Sequence, residues 1–350
     1  MIRDIASRLP APVRAAAVRA YRVATRAGPP RWSIKISAPE GPLGDVWGDV
    51  PFAEGLAASL RRLGQEVYVD RRGSRQRPGP PRADDVCVVV RGLHRIQPEG
   101  GALNVLWVIS HPEMVTQIEV DDLYELFFAA SVSWARKASR EFGVPFVPLL
   151  QATDPSRFHP GNREASLAED ILFVGASRGV FRPIIADTLK AGFVPAIYGH
   201  GWEEFVPPEL VRAEHLPNVH LPSAYRSARV VLNDHWDDMK AEGFISNRLF
   251  DAAATGARIV SDDVKGLREI FGPQVATYTS QEELRALLSP DYEWPSVDEL
   301  VNRAAEVAER HSFDARALEL VTAVRHKRPD WNWRSFDAAL RGRAHVHGSR

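Results

Sequence analysis

Three features of the sequence predict an α/β protein of two doubly wound domains facing one another across a cleft. The first is length: 350 residues exceed the ~250–300 at which a single hydrophobic core stops growing. The second is the alternation of short, apolar, β-branched runs with helical patterns, which is how parallel βαβ units are written. The third is a pause in that alternation at Gln151–Gly161, a polar segment holding Pro155 and Pro160, after which the pattern restarts. Such a segment marks a domain linker and a hinge.

The elements follow in chain order. In residues 1–30, Ile2, Ile5, Leu9, Val13, Ala17 and Tyr21 recur at helical spacing, interrupted by Pro10 and Pro12. Up to residue 35 the chain carries eight basic residues against Asp4, so this is a basic amphipathic helix. It either packs on the body with its charged face in water or lies on an anionic membrane surface. Strands are predicted at Ile34–Ser37, Val67–Val69, Val86–Val90, Val105–Ile109, Leu126–Ala129 and Val147–Leu149, with helices at Phe52–Leu63 and Trp134–Glu141. These form a first Rossmann-like domain over 31–155. A second, over 156–328, has strands at Ile171–Val174, Ala196–Tyr198, Val230–Leu232, Arg258–Val260 and Val275–Tyr278. Its helices fall at Pro183–Lys190, Asn247–Ala254, Gly266–Ile270, Glu282–Leu288, Val297–Arg310 and Phe313–His326. A last helix, Trp331–Leu340, and a frayed tail from Gly342 make up 329–350.

Composition and motifs exclude several functions. Hydrophobic residues at 45% and charged residues at 25% suit a soluble globular chain and leave disordered and collagen-like classes unsupported. No run approaches the ~18 apolar residues that span a bilayer. Past residue 35 the chain is acidic, which argues against a nucleic-acid-binding body. The N-terminal arginines interrupt any signal-peptide core, which places the expectation in the cytoplasm. Cys87, the single cysteine, lies in an apolar strand and has no disulfide partner. There is no Gly-x-Gly-x-x-Gly after a strand, no P-loop, no Asp-x-Asp and no His-x-x-x-His, so neither a cofactor nor a metal is expected. Anion binding by amides, arginines and helix N-termini remains.

Three loops fit that chemistry. Glu40–Asp49 follows the first strand, and Gly44 and Gly48 let its backbone approach a ligand; a structural strand-to-helix loop explains it equally well. Leu172–Arg182 places Gly175, Arg178 and Arg182 between a strand and a helix that begins at Pro183, where cations oppose the helix dipole unless a phosphate intervenes. Asn233–Ala257 crosses a loop with Glu242 and Gly243 and enters a helix near Ser246 and Asn247, with Asp251 on the face of Asn247. His111, directly after the fourth strand, is either a cleft residue or packs its loop.

The Glu242-Gly-Phe loop, the Asn247–Ala257 helix, Ile259–Phe271 and Glu309–Arg316 together resemble the donor-binding half of GT-B glycosyltransferases, especially the CgeB-like group. The resemblance covers most of 165–325 and, more loosely, 33–160. It implies that Glu242 lies near the donor sugar or phosphate and that Asp251 binds the ribose. It further implies that the Arg178/Arg182 loop meets the diphosphate and that backbone around Val219–Leu221 receives the base. Asp251 is one methylene shorter than the usual glutamate and stands nine residues after Glu242, against the commoner eight. The expected activity is transfer of a sugar from a nucleoside-diphosphate-sugar, which serves as co-substrate, to a glycan, lipid, protein or small-molecule acceptor. Retention of configuration is implied by the resemblance, and no metal is expected. His111 and Glu242 are the catalytic candidates, with the Gly44–Gly48 loop on the acceptor side. A nucleotide-sugar epimerase and a catalytically silent nucleotide-sugar-binding protein are the alternatives. The expected location is cytoplasmic, with contact at the inner membrane surface through residues 1–28 left open.

Overall fold

The computed structural model describes residues 28–75 and 84–347. The basic N-terminal helix expected over 1–30 therefore lies almost wholly outside the described residues. The chain divides into two compact units, one running to Leu149 and resuming at Phe313, the other comprising Leu150–Ser312.

In the first unit, β1 (Arg31–Pro39), a single helical turn α1 (Pro42–Asp45), α2 (Asp49–Arg62), β2 (Glu66–Arg72), β3 (Val86–Arg91) and β4 (Leu103–Val108) follow one another. Then come the short α3 (Gln117–Val120), β5 (Tyr124–Ala129), α4 (Val132–Phe142) and β6 (Phe146–Pro148). The strands form one sheet in the order β2-β1-β3-β4-β5-β6, parallel throughout. Every residue of β3 and β4 is buried, as expected of central parallel strands covered on both faces, and this is why both read as unbroken apolar runs. Cys87 is among them. Helix α4 is delimited locally: the Ser131 hydroxyl accepts from the Trp134 amide at 3.0 Å, and Gly143 ends the helix in the left-handed region.

The second unit contains β7 (Ile171–Val174), α5 (Pro183–Lys190), β8 (Ala196–Tyr198), β9 (Val211–Ala213), α6 (Leu221–Ser227), β10 (Val230–Asn233), α7 (Asp237–Glu242) and α8 (Asn247–Ala254). It continues with β11 (Ile259–Asp262), α9 (Leu267–Phe271), β12 (Val275–Tyr278), α10 (Gln281–Leu288) and α11 (Val297–Arg310). Its sheet, also parallel, has the order β12-β11-β10-β7-β8-β9. The period of two along each strand builds two cores. Leu172, Val231 and Ile259 face one way, against Leu249 and Phe250 of α8. Ile171, Phe173, Val230, Leu232 and Val260 face the other, against Ile184 and Ile185 of α5 and Leu284 and Leu288 of α10. Two Rossmann-like doubly wound halves are thus the fold.

The C-terminal helices depart from expectation. Helix α12 (Phe313–Lys327), predicted to close the second domain, belongs to the first unit, as does α13 (Arg334–His347). The reason is packing. Phe313 meets Phe52 of α2 edge-on, ring centroids 5.0 Å apart, and Asp314 pairs with Arg62 at 2.6 Å. The last helix starts three residues later than predicted, where the Asn332 carboxamide accepts from the Arg334 amide at 3.2 Å, and it continues through Gly342 to His347 rather than fraying. Among the described residues, no helix is long and apolar enough to cross a membrane.

Candidate functional site

Doubly wound sheets bind ligands where the chain switches direction, outside the carboxyl ends of the two strands flanking the switch. In the second unit those strands are β7 and β10. Their ends carry Gly175 and Asn233–Asp234, and Arg178, Arg182 and Arg248 gather there.

Arg182 and Arg178 play different parts. Arg182, just ahead of α5, is 2% exposed; Asp234 pairs with its guanidinium, which also donates to the Ala176 carbonyl at 3.1 Å and lies 4.6 Å from the centre of the Phe173 ring. Enclosed and already neutralised, it holds the β7 loop to β10; this corrects the expectation that it meets a diphosphate directly. Arg178 is exposed along part of its side chain and takes φ +66°, followed by Gly179 at +72°. A left-handed non-glycine residue is strained backbone that the surroundings must hold, and here the Trp236 ring does so, 4.5 Å from the guanidinium. Desolvation of that crowded end and the nearby Arg182 and Arg248 charges hold its pKa down to about 9, still charged at neutral pH.

Arg248, which the sequence reading did not select, enters from the first turn of α8. It donates to the Asn233 carboxamide at 2.8 Å and lies 5.2 Å from the centre of the Phe173 ring that Arg182 also approaches. Gly175 is required by this crowding, since a Cβ there would stand 2.9 Å from one Arg248 nitrogen and 3.1 Å from one of Arg182. Among the described residues neither Arg178 nor Arg248 has an ion-pair partner.

At the start of α8 the Ser246 amide is not available to a ligand. It donates to His235 Nε2 at 2.9 Å, which requires the other ring nitrogen to carry the proton, and Nδ1 donates to Asp262 at 2.7 Å. Although burial opposes it, that bond and the nearby Lys240 ammonium hold the Asp262 carboxyl below its usual range. One turn along, Asp251 accepts from Asn247 Nδ2 at 2.9 Å and from the Thr153 hydroxyl at 2.8 Å. Burial nevertheless pushes its carboxyl up to about 7, the two bonds and Arg157 only partly offsetting the cost. The Asn247 Oδ1 is buried without a hydrogen-bond partner.

The remaining candidates are spread over both units. Glu242 is the last residue of α7 rather than a loop residue, half-buried, with Gly243 closing the helix in the left-handed region. Val219 points to solvent, 73% exposed, and Leu221 begins α6; Arg157 ties the preceding Asn218 carbonyl at 2.7 Å to the surroundings of Asp251. In the first unit His111 takes φ +51° ahead of a turn and lies 3.4 Å from Glu113. Gly44 is structural: a Cβ there would overlap the Pro39 carbonyl oxygen at 1.8 Å, so it is spent on closing α1 against β1. Gly48 is exposed and precedes α2.

No curated protein matches the sequence. Residues 178–322 match the family described as glycosyl transferase-like. Among solved structures, sucrose-phosphate synthase from Thermosynechococcus elongatus superposes with TM-score 0.54 at 11% identity, over 85% of this chain and 98% of that one. T4 phage BGT in complex with its UDP-glucose substrate gives 0.53 at 12%, over 85% and 98%. The DNA-modifying enzyme β-glucosyltransferase gives 0.51 at 11% over the same shares. The chain therefore has the GT-B fold, and its residues 178–322 are similar to the glycosyl transferase-like family.

Proposed function

We propose that this protein transfers a sugar from a nucleoside-diphosphate-sugar donor to an acceptor hydroxyl, and that the donor binds at the β7/β10 switch point. One observation carries the reading: among the described residues two guanidiniums, Arg178 and Arg248, crowd the β7/β10 switch point with no carboxylate within ion-pair distance of either. Crowded cations lower one another's affinity for protons, and a diphosphate relieves that repulsion with charge-assisted hydrogen bonds. The Asn247 and Arg248 amides, which open α8, add the positive end of its dipole. Asp251, one turn further in, accepts from the ribose hydroxyls, and the Gly175–Gly179 loop supports the phosphates. The Val219–Leu221 turn lies on the side assigned to the base and Glu242 on that assigned to the sugar. T4 phage BGT, of like fold, is known with UDP-glucose bound.

In the proposed reaction the bond from the sugar to the diphosphate oxygen breaks and that from the sugar to the acceptor oxygen forms. The acceptor proton passes to the departing phosphate oxygen. The reading takes configuration as retained and the leaving group as stabilised without a metal, by charge that Arg178 and Arg248 already hold in place. Residues 1–28 add peripheral contact with anionic lipid through their basic excess.

Calorimetric titration tests the donor site: a nucleoside diphosphate is expected to bind more tightly than its nucleoside or monophosphate, and Arg248→Ala to weaken it at least tenfold. Equal affinity for nucleoside and diphosphate overturns the proposal. Incubation with donor alone, yielding an altered sugar, would identify an epimerase instead. Loss of anionic-vesicle sedimentation on deleting 1–28 tests the lipid contact.

A further inference from the structure

Among the described residues, the helices of the first unit leave one face of its sheet partly bare. The paired residues Phe127 and Phe146 point toward α4, with the Phe146 ring centre 5.3 Å from that of Phe127 and 5.2 Å from that of Trp134. Their neighbours Phe128 and Val147, also paired, point the other way. That is the face of α2, because Trp107, the partner of Phe128 on β4, meets Phe52 with ring centroids 5.3 Å apart. Right-handed crossovers put α4, which leads from β5 outward to β6, on one face and α2, which leads from β1 the opposite way to β2, on the other. No crossover on the α2 face reaches β5 and β6. Helix α12 joins that face from outside the strand succession and leaves a groove of about 450 Å³, floored by Leu126, Phe128 and Val147 and walled by its own Leu318, Thr322 and Ala323. Val147 is 48% exposed.

The chain itself holds a segment suited to this groove. Residues 1–27 precede the first described residue, Gly28. Ile2, Ile5, Leu9, Val13, Ala17 and Tyr21 form an apolar stripe there, and six arginines stand against Asp4. Because the strands are parallel, β1 and β5 start at the same edge of the sheet. The groove reaches that edge: its lining includes Glu125 and Pro145, at the starts of β5 and β6, and His326 and Lys327, the last residues of α12. Three strand spacings of ~4.8 Å, about 14 Å in all, separate β1 from β5, whereas 27 residues of helix reach roughly 40 Å. The rim carries both signs of charge, Glu125 and Glu319 as well as Lys327, so apolar burial and tethering select the occupant. A segment joined through a short linker acts at an effective concentration on the order of millimolar, which a separate chain does not match.

We propose that residues 2–21 dock in this groove as a helix interrupted at Pro10 and Pro12, the apolar stripe against Val147 and Ala323 and the arginines in water. The first sheet is then covered by the chain's own amino-terminal segment. The inference is independent of the transferase reading, and it leaves the arginines facing outward for the lipid contact, which becomes one of charge alone.

The test combines amide exchange, thermal denaturation and cross-linking on the full chain. Val147→Asp puts a charge on the floor of the groove, and Leu9→Asp/Val13→Asp puts charges on the stripe. Each is expected to lower the melting temperature and to speed exchange in α12 and β5 about tenfold or more, and the two together are expected to do no more than either alone. In a chain lacking 1–27, Val147→Asp is expected to change neither quantity. Val13→Cys combined with Val147→Cys or with Ala323→Cys is expected to form an intramolecular disulfide on mild oxidation, while Val13→Cys with Val194→Cys, in the second unit, forms none; Cys87 is buried. Strictly additive effects of the floor and stripe variants, or exchange in α12 and β5 indifferent to the stripe, overturn the proposal. Disulfides formed only between chains assign the groove to a second copy, and protection that appears only with anionic vesicles assigns the stripe to the lipid; either result overturns it as well.

Discussion

Arg182 sits just ahead of α5, four residues after Arg178, and Asp234 closes over it. Removing Arg182 leaves a buried carboxylate uncompensated, a loss of about 3–5 kcal/mol, so Arg182→Ala is expected to lower the melting temperature sharply. Arg178→Ala, at an exposed and strained position, is expected to keep the melting temperature while weakening nucleoside-diphosphate binding roughly 10- to 150-fold; thermal denaturation and calorimetry on the pair separate the two roles. Asp251 gives a pH test. Its carboxyl, pushed up to about 7, holds its proton more tightly folded than unfolded, so the stability it contributes is complete below about pH 4 and is lost as pH rises through 7. The melting temperature of Asp251→Asn is therefore expected to match the parent near pH 4 and exceed it by pH 8. A constant difference across that range contradicts the assignment. Glycine spacing and a following helix made the Arg178 loop legible in the sequence. The partition between exposed and neutralised arginines was not, because Asp234 lies 52 residues beyond Arg182 in the chain. Arg248 had no local mark at all, being one arginine inside an amphipathic helix.

At the scale of elements, the legible parts were those with strong periodicity. All six strands of the first sheet and five of the second announce themselves by short apolar runs, several of them β-branched. The sixth, β9, is Val211-Arg212-Ala213 at the sheet edge, too short and too exposed to leave a pattern. The turn-length helices α1 and α3 are set by loop closure, and α1 needs Gly44 because a Cβ there would overlap the Pro39 carbonyl oxygen. The largest misplacement, α12, shows why amphipathicity names a helix but not its partner. Gly55 supplies the missing information: a Cβ there would stand 2.7 Å from the Phe313 ring, so α2 has given up a side chain to admit α12. On propensity alone, Gly55→Ala should favour α2 by about 1 kcal/mol. Overpacking against a ring already fixed by Phe52 is worth about 1–3 kcal/mol in the other direction. The expected outcome is a lower melting temperature for Gly55→Ala, with recovery in the double variant Gly55→Ala/Phe313→Leu; stabilisation by the single change would contradict the packing.

For the whole molecule, the chain leaves the first unit after Leu149 and returns at Phe313. The two ends of the second unit lie side by side, Thr153 pairing with Ser312 and its amide donating to the His311 carbonyl at 2.9 Å. A unit whose ends meet is closed on itself. A polypeptide of residues 150–312 is expected to fold cooperatively and to keep nucleoside-diphosphate affinity within a fewfold of the full chain, as chemical denaturation and calorimetry would show. A chain ending at Ser312 is expected to keep that binding while losing the cooperative unfolding of the first unit, whose α2 then lacks its partner.

That interrupted connectivity also sets the order of events on the ribosome. The strands of the first sheet are made first, yet α12, which covers α2, follows the whole inserted unit. At ~5–20 residues per second, about 9–36 s separate synthesis of Leu149 from that of Lys327, where α12 ends. Throughout that interval the earliest sheet lacks α12 and exposes Phe52 beside Gly55, while the inserted unit, complete at Ser312, finishes ahead of the one that encloses it in sequence. The nascent first unit is thus the segment with most to gain from a holding chaperone, and late translation is when it is exposed.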